Sequence, residues 1–171
     1  MKSLAPGITL RPMVMADVDA VHALDVKCFS LPWPKRSYYF EVRDNQAAHN
    51  WVAEINTGGE TRIVGFIVCW LLVEDIHIAT IAVDQAFRRQ GIASALLRLC
   101  FRQLAPLGAM RATLEVRVTN TAAQKMYRRF GFEVVGRRRD YYSDTHEDAI
   151  LMTLPDLHDW PETELPTRAH G

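Results

Sequence analysis

Hydrophobic side chains recur along the chain with two different spacings, and their order predicts the secondary structure. Seven stretches have the alternating or continuous apolar pattern of β-strands: residues 8–11, 50–55, 63–73, 76–83, 111–118, 132–138 and 149–154. Three stretches repeat apolar side chains every three or four positions, as amphipathic helices do: residues 17–28, 92–104 and 121–130. A fourth, short helix is predicted over about residues 35–43, because the proline that precedes it is tolerated near a first helical turn. This order of strands and helices predicts an α/β fold in which helices flank a mixed sheet.

A single domain accounts for most of the sequence. The chain has 171 residues, of which 49% are hydrophobic and 23% are charged, and this composition is ordinary for a globular domain. Beyond residue 155 the apolar periodicity ends, and prolines and charged residues become frequent. We therefore expect residues 1–155 to form the domain and residues 156–171 to be a flexible tail.

The charge is balanced overall but uneven along the chain. There are 20 basic and 20 acidic residues, so the total charge indicates neither a nucleic acid nor a membrane as partner. Between Gln85 and Asp140, however, there are 12 Arg and Lys residues and only three acidic ones. This basic zone suits a polyanionic cofactor, although part of it can be a solvated set of helix-face arginines. It could also steer the protein towards RNA-rich surroundings without direct readout of nucleic acid.

Cysteine and histidine positions indicate neither a disulfide framework nor a metal site. Cys28, Cys69 and Cys100 are widely spaced in apolar patterns, as core thiols are, and the six histidines lack the spacing of metal ligands. No signal sequence is recognisable, and the longest apolar run, residues 63–73, is too short to span a bilayer as a helix. The sequence therefore predicts a soluble cytoplasmic protein without a metal.

A basic segment that contains a glycine joins a predicted strand to a predicted helix. Its residues are Arg88, Arg89, Gln90, Gly91, Ile92 and Ala93. A helix N-terminus offers unpaired N–H groups and a partial positive charge, and Gly91 has no Cβ to keep a bulky phosphate away from the backbone. These residues are predicted to bind phosphate groups, although an ordinary basic helix start has the same local pattern.

The pattern Arg-x-x-Gly-x-Ala after a strand resembles the phosphate-binding signature of the GNAT superfamily of acetyl-CoA-dependent N-acetyltransferases. Residues 114–132 are similar to the closing strand and helix of that superfamily. Three further segments resemble its RimI-type branch, the alanine N-acetyltransferases that modify ribosomal proteins: residues 28–33, 139–142 and 147–152. The resemblance spans about residues 8–155. It implies a single-domain fold with a mostly antiparallel sheet of about seven strands, about four helices, and a gap between two parallel strands.

The same resemblance implies acetyl-CoA as the acetyl donor and indicates which residues would bind it. Backbone groups of Ile81, Ala82 and Val83 would bind the pantetheine arm and the acetyl carbonyl group. Asn120 would also contact the cofactor. Because Asn120 precedes a predicted helix, it is equally suited to cap that helix, and the two roles are compatible.

Two residues are candidates for acid–base chemistry. Glu115 is a lone carboxylate in a largely apolar strand, where burial would raise its pKa; alternatively it points outward and pairs with Arg111 or Arg117. Tyr127 lies on an apolar helix face, where a plain core or surface tyrosine is the commoner explanation. In the enzymes that the sequence resembles, the matching glutamate is the proposed base and the matching tyrosine the proposed acid. Glu115 and Tyr127 are therefore the predicted catalytic residues.

The acceptor is the part of the function that the sequence determines least. Segments that match the flanks of the acceptor groove, together with a histidine before the cofactor strand, give these predicted contacts: Phe29, Trp33, His77, Tyr141 and Tyr142. His77 could also be an alternative base, or a histidine that simply faces solvent. The resemblance implies a protein N-terminus as acceptor, that of an alanine-starting ribosomal protein.

Two alternatives to this function stay open. One is an acetyltransferase that acts on a small-molecule amine or a lysine side chain. The other is a catalytically silent acyl-CoA-binding module, which would have no need of an acid and a base at Tyr127 and Glu115. The sequence leaves the oligomeric state open.

Overall fold

The computed structural model of the chain describes residue 4 and residues 6–157. Within them are seven strands: β1 (Ile8–Pro12), β2 (Ala48–Thr57), β3 (Glu60–Leu72), β4 (Asp75–Val83), β5 (Arg111–Arg117), β6 (Glu133–Tyr142) and β7 (Glu147–Leu154). Four helices accompany them: α1 (Val18–Cys28), α2 (Lys35–Arg43), α3 (Ile92–Leu104) and α4 (Thr121–Arg129). The predicted number and order of strands and helices are confirmed.

All seven strands belong to one mixed sheet, in the order β1-β2-β3-β4-β5-β7-β6. Five neighbouring pairs are antiparallel, and β4 and β5 run parallel. A parallel pair needs a crossover connection, and α3 lies in that connection. The predicted fold, a mixed and mostly antiparallel sheet flanked by helices, is confirmed.

Helices cover both faces of the sheet. α3 and α4 pack on one face, in a core that contains Ile67, Leu96 and Leu114. α1 and α2 pack on the other face, around Phe66 and Tyr38. Because neighbouring strand residues point to opposite faces, β3 is buried on both sides and its sequence is almost continuously apolar. Among residues 6–157, no helix is long and apolar enough to cross a membrane.

β4 and β5 are paired over only the first part of their length. The parallel register comprises four residue pairs and ends at Ile78 opposite Leu114. At the same point β4 has a bulge, because Ala79 lies between the two residues that pair with Val68 and Cys69 of β3. A bulge bends its strand and increases the twist. The second half of β4 therefore diverges from β5, and this divergence forms the gap that the family resemblance implies.

A glycine in β3 allows α3 to approach the sheet closely. Gly65 pairs with Val83 at the end of β4. A Cβ on Gly65 would lie 3.0 Å from Cγ2 of Ile92 and 3.2 Å from the carbonyl oxygen of Ala82. Ile92 is the first residue of α3 and is buried. The missing side chain at Gly65 thus places the N-terminus of α3 beside the end of β4.

Two predicted boundaries differ from the structure: the end of the third strand and the end of the domain. β3 ends at Leu72, because Val73 has a φ of 58° in the following turn and is 94% exposed. Leu157 is buried against the α3–α4 core, and its N–H donates to the carbonyl oxygen of Met110 at 2.9 Å. Packing thus extends past residue 155, the predicted end of the domain. The rest of the predicted tail, residues 158–171, lies outside the described residues.

We expect Gly65→Ala to lower the free energy of unfolding by about 1–3 kcal/mol, the usual cost of overpacking a core. The physical reason is that either Ile92 or the backbone at Ala82 has to move to admit the methyl group. Urea denaturation of the variant and the wild type measures the difference.

Gly136→Ala in β6 is the matched control. A Cβ at Gly136 would meet the Cβ of Leu151 at 3.9 Å, which is ordinary contact, so its effect should stay within about 0.5 kcal/mol. If Gly65→Ala is as stable as this control, the close approach of α3 is contradicted.

Candidate active site

The gap between β4 and β5 exposes strand backbone that lacks a neighbour on one side. Residues 80–83 pair with β3 alone. The N–H of Asp84 donates to β3 at 2.8 Å, and successive residues of a strand direct their backbone groups to opposite sides. The N–H and C=O groups of Ile81 and Val83 therefore point into the gap, whereas those of Ala82 point to β3. Such an edge can receive an extended ligand.

Two side chains contact the carbonyl oxygen of Val83 at the end of this edge. Nε of Arg88 donates to it at 3.1 Å, and the Cys28 thiol lies 3.6 Å from it. Burial raises the pKa of the Cys28 thiol, so the thiol stays protonated at neutral pH. Arg88 therefore bends back to the strand, and its guanidinium lies beside the gap.

The predicted phosphate-binding segment forms a tight loop at the N-terminus of α3. Arg89 and Gly91 have positive φ angles of 63° and 85°. Gly91 is the N-cap residue, and glycine adopts this left-handed conformation without steric cost. The helix begins with a bond from the Ala95 N–H to the Gly91 carbonyl oxygen at 2.9 Å. The N–H groups of residues 92–94 therefore have no acceptor within the helix and point out of its end.

Other residues of the segment support the loop. Ile92 is buried in the core, and Ala93 is half-buried in the first helical turn. Nε2 of Gln90 donates to the carbonyl oxygen of Ala86 at 3.4 Å. The side chain of Arg89 is exposed. The segment thus offers an anion its backbone N–H groups and the guanidinium of Arg89.

A buried carboxylate that the sequence analysis missed anchors this loop. Asp84 directly follows β4 and accepts from the Ala86 N–H at 3.0 Å. It also pairs with Lys27 of α1 at 2.9 Å and with Arg62 of β3 at 2.8 Å. Burial acts to raise the pKa of Asp84, but these partners hold it below its usual value. The sequence shows only a single aspartate after an apolar strand. It does not indicate the ion-pair partners of Asp84, because they lie far away along the chain.

Glu115 lies on the polar face of β5. Leu114 and Val116 are buried beneath α3 and α4, so Glu115 between them points to the opposite face. Its Oε2 is 3.5 Å from Nε2 of His77, and its Oε1 is 3.7 Å from Nη1 of Arg138. These are ion-pair distances and exceed those of good hydrogen bonds. The carboxylate therefore keeps hydrogen-bonding capacity for another group.

The alternative in which Glu115 pairs with a neighbouring arginine is wrong. Arg111 pairs with Asp75, at 2.8 Å, at the start of β4. Arg117 pairs with Asp144 at 2.9 Å, in the loop between β6 and β7. Both arginines are therefore occupied elsewhere, and Arg138 from β6 takes the place that the sequence pattern assigned to them.

His77 faces Glu115 and not bulk solvent. Its ring stacks on Trp70 at a centroid distance of 5.3 Å, and its Nδ1 lies 3.3 Å from Oγ1 of Thr113. Trp70 stacks in turn on Trp33 at 6.4 Å. A row of three rings thus leads from the start of α2 to Glu115, and it brings the predicted contacts Trp33 and His77 together. Trp70 was missed because its strand reads as core.

Tyr127 packs on the other face of the sheet from Glu115. It is buried in the α3–α4 core, with the ring of Phe132 at 5.6 Å. Burial raises the pKa of Tyr127 well above its usual value, so the phenol stays protonated at neutral pH. Asn120 precedes α4, and its Oδ1 accepts from the Ala123 N–H at 3.2 Å. The capping role of Asn120 is confirmed, and its contact with a cofactor stays a prediction.

Tyr142 lies within electrostatic range of both predicted catalytic residues. Burial raises the pKa of Tyr142 to about 12; Arg117 opposes the rise, and Glu115 adds to it. Tyr142 in turn adds to the raised pKa of Tyr127. The guanidinium of Arg117 lies 3.9 Å from the centre of the Tyr142 ring.

The remaining predicted acceptor contacts differ in exposure. Tyr141 is 46% exposed, and its ring stands perpendicular to that of Tyr142 at 5.1 Å. The guanidinium of Arg138 lies 5.5 Å from the Tyr141 ring. Phe29 follows α1 and packs against the core beneath α1 and α2. Tyr141 is thus available to a ligand, whereas Phe29 is partly structural.

Known proteins resemble this chain in both sequence and structure. The sequence model of the acetyltransferase (GNAT) family matches residues 18–132. A Bacillus subtilis protein, provisionally assigned as a ribosomal protein bS18-alanine N-acetyltransferase, is 34% identical over 84% of this chain and 92% of its own length. The Escherichia coli K12 ribosomal protein bS18-alanine N-acetyltransferase is 29% identical over 86% of this chain and 97% of its own length.

Solved structures agree with the sequence comparison. The crystal structure of the Escherichia coli ribosomal-protein-S18-alanine N-acetyltransferase has a TM-score of 0.77 and 26% identity over 94% of this chain and 99% of that one. The structure of Ard1 from Thermoplasma volcanium has a TM-score of 0.76 and 26% identity over 86% of this chain and 96% of that one. The sequence model of the family also covers more than half of this chain, from α1 to the residue before β6. The chain therefore belongs to the GNAT acetyltransferase family.

Proposed function

We propose that this chain is an N-acetyltransferase that transfers the acetyl group of acetyl-CoA directly to the N-terminal α-amino group of a protein. The acceptor we propose is an alanine-starting ribosomal protein of the bS18 type. This choice is supported by the names of the relatives from Bacillus subtilis and Escherichia coli, together with the extent of both alignments.

One observation carries the proposal: the gap between β4 and β5 adjoins both an anion site and a carboxylate. The N-terminus of α3 lies beside the end of β4, the backbone groups of Ile81 and Val83 line one edge, and Glu115 lies on the facing strand. A ligand that carries phosphates at one end and a reactive acyl group at the other would fit this arrangement. Acetyl-CoA has this chemistry.

Each part of the cofactor would be held by groups of this chain. The N–H groups of residues 92–94 and the side chain of Arg89 would bind the pyrophosphate. The backbone groups of Ile81 and Val83 would bond to the pantetheine arm as a neighbouring strand does. Once bound, acetyl-CoA supplies an activated thioester carbonyl. A backbone N–H in the gap would then stabilise the negative charge that develops on the carbonyl oxygen.

Two residues on opposite faces of the sheet, Glu115 and Tyr127, would transfer the protons. An α-amino group has a pKa of about 7.7–8.0, so a modest base suffices at neutral pH. The pKa of a lysine side chain is higher, about 10.4. Glu115 would accept the amine proton, directly or through a water, as the nitrogen bonds to the acetyl carbon. Tyr127 would donate its phenolic proton to sulfur as the C–S bond breaks, and would regain a proton from solvent.

We expect Glu115→Gln and Tyr127→Phe each to lower kcat by about a hundredfold to ten-thousandfold, the usual contribution of a positioned acid or base. The KM for acetyl-CoA should change much less, because the phosphates and the pantetheine arm of the cofactor would be bound by other groups. Steady-state kinetics with an alanine-starting peptide measures both quantities.

Glu133→Gln is the control for the removal of a carboxylate. Glu133 is exposed at the start of β6, and its variant should keep the wild-type kcat. Wild-type rates in both Glu115→Gln and Tyr127→Phe would contradict the assignment, and His77 would become the next candidate for the base.

The acceptor assignment predicts acetylation at the α-amine. Peptides that start with alanine or serine should gain one acetyl group there, because the α-amine has the lower pKa and an extended N-terminus suits a groove between aromatic side chains. Peptides with a blocked N-terminus and free lysines, and free small amines, should gain none. Mass spectrometry with fragmentation locates the modified nitrogen.

Acetylation of lysine in blocked peptides, without any at free α-amines, would replace this acceptor by a lysine side chain. Acetylation of small amines alone would point to a small-molecule acetyltransferase. Tight acetyl-CoA binding without any transfer would point to a silent binding module.

A further inference from the structure

Two loops flank the side of the site on which Glu115 lies. The first loop, residues 29–34, joins α1 to α2, and the second loop, residues 143–146, joins β6 to β7. Both adjoin residues that are predicted to contact the acceptor. Arg117 lies on the same face of β5 as Glu115, two residues further along, and its side chain contacts both loops.

The contacts of Arg117 form a bridge between these loops. In the second loop, Nη2 of Arg117 donates to both carboxylate oxygens of Asp144 at 2.9 Å, and Nη1 donates to Oγ1 of Thr145 at 2.8 Å. In the first loop, Nη2 lies 3.5 Å from Oγ of Ser30. The Ser30 hydroxyl also donates to Asp144. We call the trio of Ser30, Asp144 and Arg117 the loop bridge.

The loop bridge lies at the protein surface, where its two charged side chains are partly covered. The side chains of Arg117 and Asp144 are 19% and 15% exposed, and the Tyr142 ring covers the guanidinium at 3.9 Å. The hydrogen bond from Ser30, and then Arg117, holds the pKa of Asp144 below its usual value although burial opposes this. Asp144 is therefore ionised at neutral pH, and the bridge keeps both its charges.

We propose that Arg117 is a positioning residue for the acceptor: through the loop bridge it fixes the spacing of the two loops between which the acceptor lies. This inference rests on the proposed function. Arg117 takes no part in proton transfer, because arginine side chains are not deprotonated in proteins. A lysine would keep the charge but could not reach both loops with a planar fork of donors.

Steady-state kinetics with an alanine-starting peptide tests this role in Arg117→Lys, Asp144→Asn and Ser30→Ala. The free energy of a hydrogen bond to a charged group is large enough to change an affinity about tenfold or more. We expect a rise of about tenfold in the peptide KM for the first two variants and a smaller rise for Ser30→Ala. The KM for acetyl-CoA should stay within about twofold of the wild type.

Arg111→Lys is the matched control. Arg111 begins the same strand and forms its own ion pairs with Glu74 and Asp75, away from both loops. Its replacement should leave both KM values unchanged. An unchanged peptide KM in Arg117→Lys would overturn the proposal, and so would equal rises in the KM for peptide and for acetyl-CoA.

Hydrogen exchange tests the loop bridge without any reliance on catalysis. Asp144→Asn alters the second loop alone, yet the backbone amides of the first loop should exchange faster than in the wild type, because Ser30 loses its charged partner. The first-loop residues with an amide proton are Phe29, Ser30, Leu31 and Trp33. Unchanged exchange in the first loop would overturn the bridge. If the wild type acetylates no peptide, the proposed function fails separately, and this measurement still decides whether the bridge couples the loops.

Discussion

Parallel hydrogen bonding between β4 and β5 stops after four residue pairs, at Ile78 and Leu114, and the rest of the site depends on that early end. Beyond it each strand keeps a neighbour on its outer side, β3 or β7, so the sheet stays intact while its middle opens. The bulge at Ala79 provides the physical cause, because it bends β4 where the pairing ends. Backbone groups without a strand partner then line the gap, and the loop that leads to α3 begins at its end.

The packing of α3 places the predicted anion site beside this gap. Gly65 lets Ile92 approach the sheet, and Asp84 fixes the start of the loop through Lys27 and Arg62. The helix N-terminus is thereby held beside the strand edge, so phosphate binding and strand-like binding can act on one extended ligand. A helix displaced from this edge would offer an anion site with no connection to the reacting end.

The two faces of β5 divide the proposed chemistry. Glu115 lies on the polar face, near the side chains of His77 and Arg138. Tyr127 lies in the apolar core of the other face, where burial keeps its phenol protonated. The proposed base and the proposed acid therefore lie in different surroundings.

The sequence predicts the fold better than it predicts the site, and the reason is physical. Strand and helix periods reflect burial along one segment, so the order of the elements and the Asn120 cap could be inferred locally. Partners from distant segments leave no such pattern: Lys27 and Asp84 are 57 residues apart, and Ser30 and Asp144 are 114 apart. The family resemblance pointed to Glu115 and Tyr127 as candidates, but the surroundings of both depend on tertiary packing.

In the proposed function, the opened edge of β4 receives the cofactor. An NMR titration of the ¹⁵N-labelled protein with CoA tests it directly, because each backbone amide reports its own surroundings. We expect large shifts for the amides of Ile81 and Val83 and for residues 92–94, with no change in β1 at the far edge of the sheet. Saturable binding that leaves Ile81 and Val83 unshifted would contradict it.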